Sequence, residues 1–407
     1  MSHYIALVYV LLVGRYLWYF CSQFQVSGDD DGHQNHQECP LFVSCAQNGY
    51  FTSPIIINTT SCCSKHKMQL FDAHSHMHMG PRGLEALLES IPHAVVEEQS
   101  SPQHSFRFAG AAIMSTVPAD YRTVDSVVSG LRKRGFQAVP CYGIHPWFLN
   151  DVLSSSAQQL DWLVEDLQQN LIDHPDAIVG EIGLDGSRWV EVKQESHYHH
   201  QSTTTTSKEE EESIWKRERV LACPMDLQRK AFEEQLILAV ELQRPVSIHV
   251  VNAWGELFAA FDNVCARMKD KQLIMGKEQR RRSSSSSSSS RRSTTKLLPP
   301  KIYFHAFSGK VGTLPSIIAA CKKGHVASED IYFGFAPAIP NFNSAKTPLI
   351  MKEIGISQLL LQTDLEDATT AMDDLIHGVS KISNALGMEE SEVARQTVEN
   401  AYRFYLS

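Results

Sequence analysis

Eight short apolar runs alternate with longer amphipathic stretches along most of this 407-residue chain. Several of these runs are apolar almost without a break, as expected for strands that are buried on both faces of a sheet. Regular alternation of such strands with helices predicts an α/β fold, and eight units favour a closed (β/α)8 TIM-type barrel over an open, doubly wound sheet. The predicted strands cover residues 69–74, 106–115, 138–146, 177–185, 245–250, 301–308, 331–337 and 359–364.

The stretches between these runs carry apolar residues at intervals of three and four, which places them on one face of a helix. In the segment 121–134, for example, Val124, Val127, Val128 and Leu131 have this spacing. The predicted helices cover residues 84–90, 121–134, 157–173, 225–242, 254–268, 314–322, 345–354, 373–386 and 389–405.

Residues 1–66 have a different character, and we assign them to an extension outside the barrel of residues 67–407. An apolar run at residues 4–20 contains Arg15 and is short for a membrane-spanning helix, so a signal peptide, an anchor and a mis-assigned start codon stay open. Residues 26–66 are polar and aperiodic, which predicts disorder. We expect a cytoplasmic or nuclear monomer without a stable membrane partner, or an anchored or exported protein if the leader is real.

Two low-complexity inserts interrupt the predicted barrel, at about residues 188–220 and 277–296. The first contains a His cluster at 197–200, a Thr run and four consecutive Glu residues. The second contains eight consecutive Ser residues flanked by Arg residues, which suggests either a solvated loop or a site of phosphorylation or nucleic-acid contact. Both inserts are too polar to pack, so we predict disordered loops.

Charge and cysteine usage narrow the class of protein. The formal net charge is −9, which argues against a dedicated nucleic-acid-binding module but leaves room for a metal-dependent enzyme acting on phosphates. Of the nine cysteines, the last four are isolated in sequence, so we do not predict a structural zinc site. We predict instead that these four cysteines are reduced thiols.

Histidine or acidic residues stand at the ends of six predicted strands. In a barrel, all strand carboxyl ends open on one face, where the active site lies. Burying so many polar groups without partners would cost roughly several kcal/mol each, and bound cations would remove that cost. The strand-end residues are His74 and His76, His145, Glu181 and Asp185, His249, His305, and Asp364.

Four histidines and two carboxylates exceed what one tetrahedral ion needs and predict two divalent cations, Mg²⁺, Mn²⁺ or Zn²⁺, about 4 Å apart. Glu181 is the predicted bridge and, with Asp364, a catalytic residue; Asp364 would orient the attacking water or take its proton. His145 is predicted to contact the substrate. No nucleophile motif such as Gly-x-Ser-x-Gly is present, which favours direct attack by water. The predicted ligands are His74, His76 and Asp364 for the first ion, His249 and His305 for the second, and Glu181 for both.

Several motifs in this order resemble the TatD family of metal-dependent hydrolases, within the amidohydrolase superfamily. The resemblance implies a (β/α)8 barrel and a divalent-metal deoxyribonuclease, often a 3′-5′ exonuclease, that cleaves DNA phosphodiesters. It also implies the same ligand sets, with Glu181 shared. The motifs are Phe71-Asp-Ala-His-Ser-His76, Gly143-Ile-His-Pro-Trp147, Gly180-Glu-Ile-Gly-Leu-Asp185, Pro245-Val-Ser-Ile-His249, His305-Ala-Phe-Ser-Gly309, Gln362-Thr-Asp364 and Glu399-Asn-Ala-Tyr-Arg403.

The sequence departs from the family pattern at three places. His78 stands where an acidic residue is usual, Gln362 replaces a glutamate, and Leu365-Glu366 replace a small residue and a proline. None of these is a predicted ligand, so the departures concern substrate choice. Two alternatives therefore stay open: hydrolysis of an amide or ester such as aminoacyl-tRNA, and a role as binding partner of a cell-cycle protein. Asp72 is expected to orient a histidine or the backbone.

Overall fold

The computed structural model describes residues 68–80, 106–155, 160–195, 215–282 and 296–406. The predicted extension at 1–66, its apolar run and the predicted helix at 84–90 lie outside the described residues, as do the His cluster at 197–200 and the Ser run.

Eight parallel strands form the nearly closed barrel that the sequence predicts. They are hydrogen-bonded in the order β1-β2-β3-β4-β7-β8-β9-β10. The last strand returns to the first, where the Asp364 amide donates to the His74 carbonyl at 2.9 Å and the His76 amide donates to the Leu365 carbonyl at 2.9 Å. The barrel strands are β1 Met68–Ser75, β2 Phe106–Met114, β3 Gln137–Tyr142, β4 Ile178–Asp185, β7 Val246–Val251, β8 Ile302–Phe304, β9 Ile331–Phe335 and β10 Leu359–Leu361.

Helices follow the strands closely to the predicted bounds, with two differences. The helix predicted at 157–173 is found at Leu160–Asp173, and a helix that was not predicted, Leu149–Ser155, precedes it; the helix predicted at 254–268 continues to Arg282. No helix in the described ranges has the length and apolarity needed to cross a membrane. The helices are α1 Tyr121–Lys133, α2 Leu149–Ser155, α3 Leu160–Asp173, α4 Met225–Glu241, α5 Trp254–Arg282, α6 Leu314–Lys323, α7 Thr347–Ile354, α8 Ala371–Leu386 and α9 Glu390–Tyr405.

The strands separate two apolar cores. One lies between the strands and the surrounding helices and includes Leu70 and Ile113. The other fills the inside of the barrel, where Phe71 and Tyr303 pack with Phe404 and Tyr405 from the end of α9. The last helix thus contributes to the packed interior, and strands buried on both sides explain the continuous apolar runs.

The prediction of a disordered loop at 188–220 is wrong at both ends of that segment. Strand β5, Trp189–Glu195, pairs antiparallel with β6, Trp215–Leu221, as a hairpin directly after β4. Residues 190–193 alternate between apolar and charged, and this period of two is a strand signal that the polar composition after them conceals; residues 215–221 carry no such alternation.

The prediction that a disordered loop begins at residue 277 is also wrong, because α5 continues through residues 277–282. Lys277, Glu278, Gln279 and Arg280 all have high helix propensity, which explains why a polar segment extends the helix.

Candidate metal-binding and catalytic site

The carboxyl ends of the barrel strands bring all six predicted ligands together. Together with His145 they form three overlapping groups that could hold a metal ion, and within each group the ligand atoms lie within 4.8 Å of one another. The side chains are buried or nearly so, within a barrel whose strand ends all open on the same face. The groups are His74, His76 and Asp364; His74, Glu181 and His305; and His145, Glu181 and His249.

Glu181 lies at the centre of the cluster and directs its two oxygens at different histidines. Its Oε2 is 3.3 Å from His74 Nε2 and 3.1 Å from His76 Nε2. Its Oε1 is 3.1 Å from His249 Nδ1 and 2.8 Å from His305 Nε2. Glu181 therefore faces both pairs of histidines and could serve a ligand group on either side.

Asp364 completes the side of the cluster formed by β1. Its Oδ1 is 3.5 Å from His74 Nε2 and 3.6 Å from His76 Nε2. The residue follows β10 in the left-handed region, with φ 60°, a conformation that Asp adopts more readily than most residues. Its backbone amide donates to the His74 carbonyl at 2.9 Å. Asp364 therefore links the end of β10 to β1 and also places its own carboxylate at the cluster.

The ring nitrogens that face away from the cluster have partners of their own. The Nδ1 atoms of His74 and His305 lie 3.2 Å and 3.3 Å from Ser247 Oγ, which can accept from both. His76 Nδ1 is 2.9 Å from the Met114 carbonyl. These contacts fix the ring orientation and turn each Nε2 towards the cluster, the atom that would ligate a metal there.

Asp185 fixes the orientation of the His249 ring. Its Oδ2 is 2.8 Å from His249 Nε2, so this ring presents Nδ1 to Glu181 instead. The sequence placed Asp185 at a strand end without giving it this role. The signal was available: residues 181 and 185 share one face of β4, because alternate residues of a strand point the same way.

His145 differs from the other histidines in its hydrogen bonds. Its Nδ1 accepts the Trp147 amide at 3.2 Å, and its Nε2 lies 3.2 Å from Glu181 Oε1. Burial lowers the pKa of His145, so the ring is neutral, and an accepting Nδ1 puts the proton on Nε2. A metal ligand would need a lone pair there. The tautomer therefore makes His145 a hydrogen-bond donor towards the cluster.

The electrostatics of the cluster fit a cation site. Burial, with a smaller effect from His305, lowers the pKa of His74 to about 4. Burial would also lower the pKa of His76, but hydrogen bonds with Asp364 and Glu181 outweigh it and raise that pKa to about 10. The imidazoles overcome burial at Glu181 and hold its pKa well below the usual range. Ionised carboxylates and imidazoles that share protons are a donor set for Zn²⁺, Mn²⁺ or Mg²⁺, which replace those protons.

Asp72 anchors the backbone beneath the cluster. Its carboxylate accepts the amides of His74 at 3.2 Å and Thr363 at 3.0 Å, and the Thr363 hydroxyl at 2.6 Å. It thereby ties β1 to the chain after β10, in keeping with its expected orienting role. Burial raises the pKa of Asp72 to about 7 against the effect of these bonds.

Two of the departures from the family pattern also have visible environments. The His78 side chain is 2% exposed, and its Nε2 lies 3.7 Å from Asp120 Oδ2, outside the three groups. Gln362 is buried and accepts a hydrogen bond from the Tyr303 hydroxyl. A neutral amide at this depth avoids the desolvation cost of a buried glutamate.

A family model described as TatD related DNase matches residues 71–406. Among curated proteins, the Cut9-interacting protein scn1 of Schizosaccharomyces pombe is 24% identical over 333 residues, which cover 71% of this chain and 90% of that protein.

Solved structures with the same fold include YJJV, a TatD homologue from Escherichia coli, with a TM-score of 0.53 and 16% identity over 83% of this chain and 98% of that one. A TatD-family hydrolase from Entamoeba histolytica has a TM-score of 0.51 and 13% identity over 84% of this chain and 99% of that one.

Proposed function

This chain is a member of the TatD-related DNase family of hydrolases, and from its site we propose that it is a divalent-metal-dependent deoxyribonuclease. The observation that carries the proposal is the position of Glu181. One of its oxygens lies within 3.3 Å of the His74 and His76 nitrogens, and the other within 3.1 Å of those of His249 and His305. A carboxylate between two imidazole pairs suits hydrolysis of a phosphodiester, in which attacking and leaving oxygens both carry charge.

The ligands divide into two sets that share Glu181. When bound, two divalent cations supply Lewis acidity at the phosphate and lower the pKa of the attacking water. Mg²⁺, Mn²⁺ and Zn²⁺ are all compatible with mixed nitrogen and oxygen donors. The sets are His74, His76 and Asp364 for one cation, and His249 and His305 for the other.

Asp364 and His145 handle protons in this proposal. Burial opposes ionisation of Asp364, but its hydrogen bond with His76 and the nearby imidazoles hold its pKa below the usual range. It is therefore ionised, and in this proposal the carboxylate orients the attacking water or takes its proton. The Nε2–H of His145 donates to a phosphate oxygen of the substrate and offsets charge that develops there.

DNA as the substrate, and release of nucleotides from the 3′ end, are the finer parts of the proposal. They rest on family membership together with the two-cation geometry. We also propose that the protein is a monomer located in the cytoplasm or the nucleus.

A labelled-oligonucleotide assay tests the proposal. Protein supplied in turn with Mg²⁺, Mn²⁺ or Zn²⁺ should shorten a 5′-labelled single strand or duplex one nucleotide at a time, and Glu181→Gln should abolish the shortening. Glu353→Gln, an exposed glutamate on α7, is the matched control. Hydrolysis of an aminoacyl ester without any shortening of DNA would replace this function with the ester-hydrolase alternative.

A second function is favoured by one observation, the similarity to a protein named for its interaction with Cut9. In this alternative the chain serves as a protein-binding partner, and the cluster is structural. A His74→Ala/His249→Ala double variant that supports full cellular function would favour the partner role. Loss of function in the same variant would favour the enzyme.

A further inference from the structure

Two glutamines on helix α4 are buried, although a helix face that packs on a sheet is ordinarily apolar. Gln228 and Gln235 are 2% and 1% exposed, and their spacing of two helical turns puts both on one face of α4. Their carboxamides are called here the glutamine clamps. We propose that Gln228 orients the His249 ring and that the second glutamine positions His145, each through the backbone at a strand end. These roles rest on the proposed function, since they concern residues of that same site.

The Gln228 clamp pairs with both backbone groups of Asp185, the last residue of β4. Its Oε1 accepts the Asp185 amide at 2.7 Å, and its Nε2 donates to the Asp185 carbonyl at 3.0 Å. The same Nε2 donates to the Cys223 carbonyl at 2.8 Å, just beyond the other end of the β5–β6 hairpin. Gln228 therefore closes the insert at its base and fixes the backbone from which the Asp185 carboxylate reaches His249.

The Gln235 clamp pairs in the same way with Ile144, the residue before His145. Its Oε1 accepts the Ile144 amide at 2.8 Å, and its Nε2 lies 3.3 Å from the Ile144 carbonyl and 3.2 Å from the Ala231 carbonyl on α4. The His145 amide in turn donates to the Thr116 carbonyl at 2.8 Å. The backbone that carries His145 is thus held from α4 on one side and from the segment after β2 on the other.

The clamps supply hydrogen bonds where strand pairing has ended. The register between β3 and β4 ends at Tyr142 and Val179. Among the described strands, neither Ile144 nor the second half of β4 pairs across that gap, and the end of β4 is paired with β7. Buried backbone amides and carbonyls need partners, and a carboxamide offers one acceptor and two donors. An apolar side chain of equal size would fill the space and leave those groups unpaired.

Different parts of the site depend on the two clamps. Asp185 Oδ2 lies 2.8 Å from His249 Nε2 and so turns Nδ1 of that ring towards Glu181, at 3.1 Å. His145 Nε2 lies 3.2 Å from Glu181 Oε1 and is the proposed donor to a phosphate oxygen. Loss of the first clamp should therefore impair cation binding, and loss of the second should impair the phosphate contact.

Binding of Mn²⁺ to metal-free protein, with free Mn²⁺ followed by electron paramagnetic resonance, tests the first clamp without turnover. Gln228→Met keeps the size of the side chain and removes its three hydrogen bonds. It should weaken one of the two Mn²⁺ sites about tenfold, the low end of the cost of losing a group that orients a ligand. Gln235→Met should bind both ions as wild type does.

Binding of inorganic phosphate to the Mn²⁺-saturated protein, measured by calorimetry, tests the second clamp. Gln235→Met should weaken phosphate binding about fivefold, because a displaced His145 loses part of a hydrogen bond to an anion. Gln228→Met, at a Mn²⁺ concentration that fills both sites, should bind phosphate nearly as wild type does.

Leu236→Ala is the matched control for general damage to α4. It truncates a fully buried neighbour that cannot hydrogen-bond a strand end, so it should destabilise the protein and leave both affinities unaltered. Gln228→Glu and Gln235→Glu keep the acceptor for the strand-end amide and should give intermediate affinities; they decide the matter if a Met variant does not fold. Equal losses of both affinities in both Met variants, or the same losses in Leu236→Ala, would overturn the positioning roles.

The outcomes for the clamps and for the nuclease proposal are separate. A wild-type protein that binds Mn²⁺ and phosphate but degrades no DNA refutes the nuclease proposal, while the two binding measurements still decide the clamps. Met variants that bind Mn²⁺ and phosphate as wild type does, in a protein that degrades DNA, overturn the clamps alone.

Discussion

The ligand cluster and the β5–β6 hairpin both involve β4, which carries Glu181 and directly precedes the hairpin, but they are built by opposite means. The cluster collects one or two buried residues from each of several barrel strands, and fixed partners hold the outward nitrogens of its four predicted histidine ligands. The hairpin presents exposed Trp189 and Arg219 from a single insert. The barrel thus holds buried side chains in fixed positions, whereas the hairpin presents its side chains to solvent.

The largest expected effect is on the cluster side. His305→Ala should lower kcat/KM on the order of 10³-fold, since loss of several kcal/mol of charge stabilisation accompanies loss of one cation. Steady-state kinetics on a labelled strand measure it. The matched control is His377→Ala, an exposed histidine on α8, which should behave as wild type. Equal activity of both variants would show that His305, and with it the cluster, is not needed for catalysis.

A smaller effect is expected where the two regions meet. Asp185→Asn should lower metal affinity or activity roughly 10- to 100-fold, because His249 loses the carboxylate that orients its ring. Trp147→Phe removes only the indole N–H bond to the same carboxylate and serves as the control. If Trp147→Phe reduced metal affinity as much as Asp185→Asn, Asp185 would not act through His249.

The smallest effect concerns the barrel beneath both regions. The Tyr405 hydroxyl donates to the Ala73 carbonyl at 2.5 Å inside the barrel. Tyr405→Phe should lower the free energy of unfolding by about 1 kcal/mol while leaving metal affinity unaltered. Urea denaturation at constant metal concentration measures it. A large loss of metal affinity in this variant would show that the cluster depends on the lower barrel core.

The same contrast explains what the sequence could predict. Barrel strands are buried on both faces, so their apolar runs are readable, and His74, Glu181 and Asp364 stand out as polar residues at the ends of such runs. The central position of Glu181 follows from strand order alone. The role of Asp185 does not, because a strand-end carboxylate has the same sequence pattern whether it faces a cation or a histidine.

The hairpin illustrates the other limit. Its strands are short and charged, and the composition between them predicts a loop, although residues 190–193 alternate with period two. The pairing of Trp147 with Arg188 joins residues from different strand ends, and sequence spacing carries no record of that contact. Exposed surfaces are constrained by fewer packing contacts than cores, so pattern analysis detects them less well.

Metal content of purified protein, measured by mass spectrometry beside protein concentration, tests the central claim most directly. We expect two divalent ions per wild-type chain, one in His249→Ala, and none in Glu181→Ala, because Glu181 alone faces both histidine pairs. A Glu181→Ala protein that retains both ions would contradict the account.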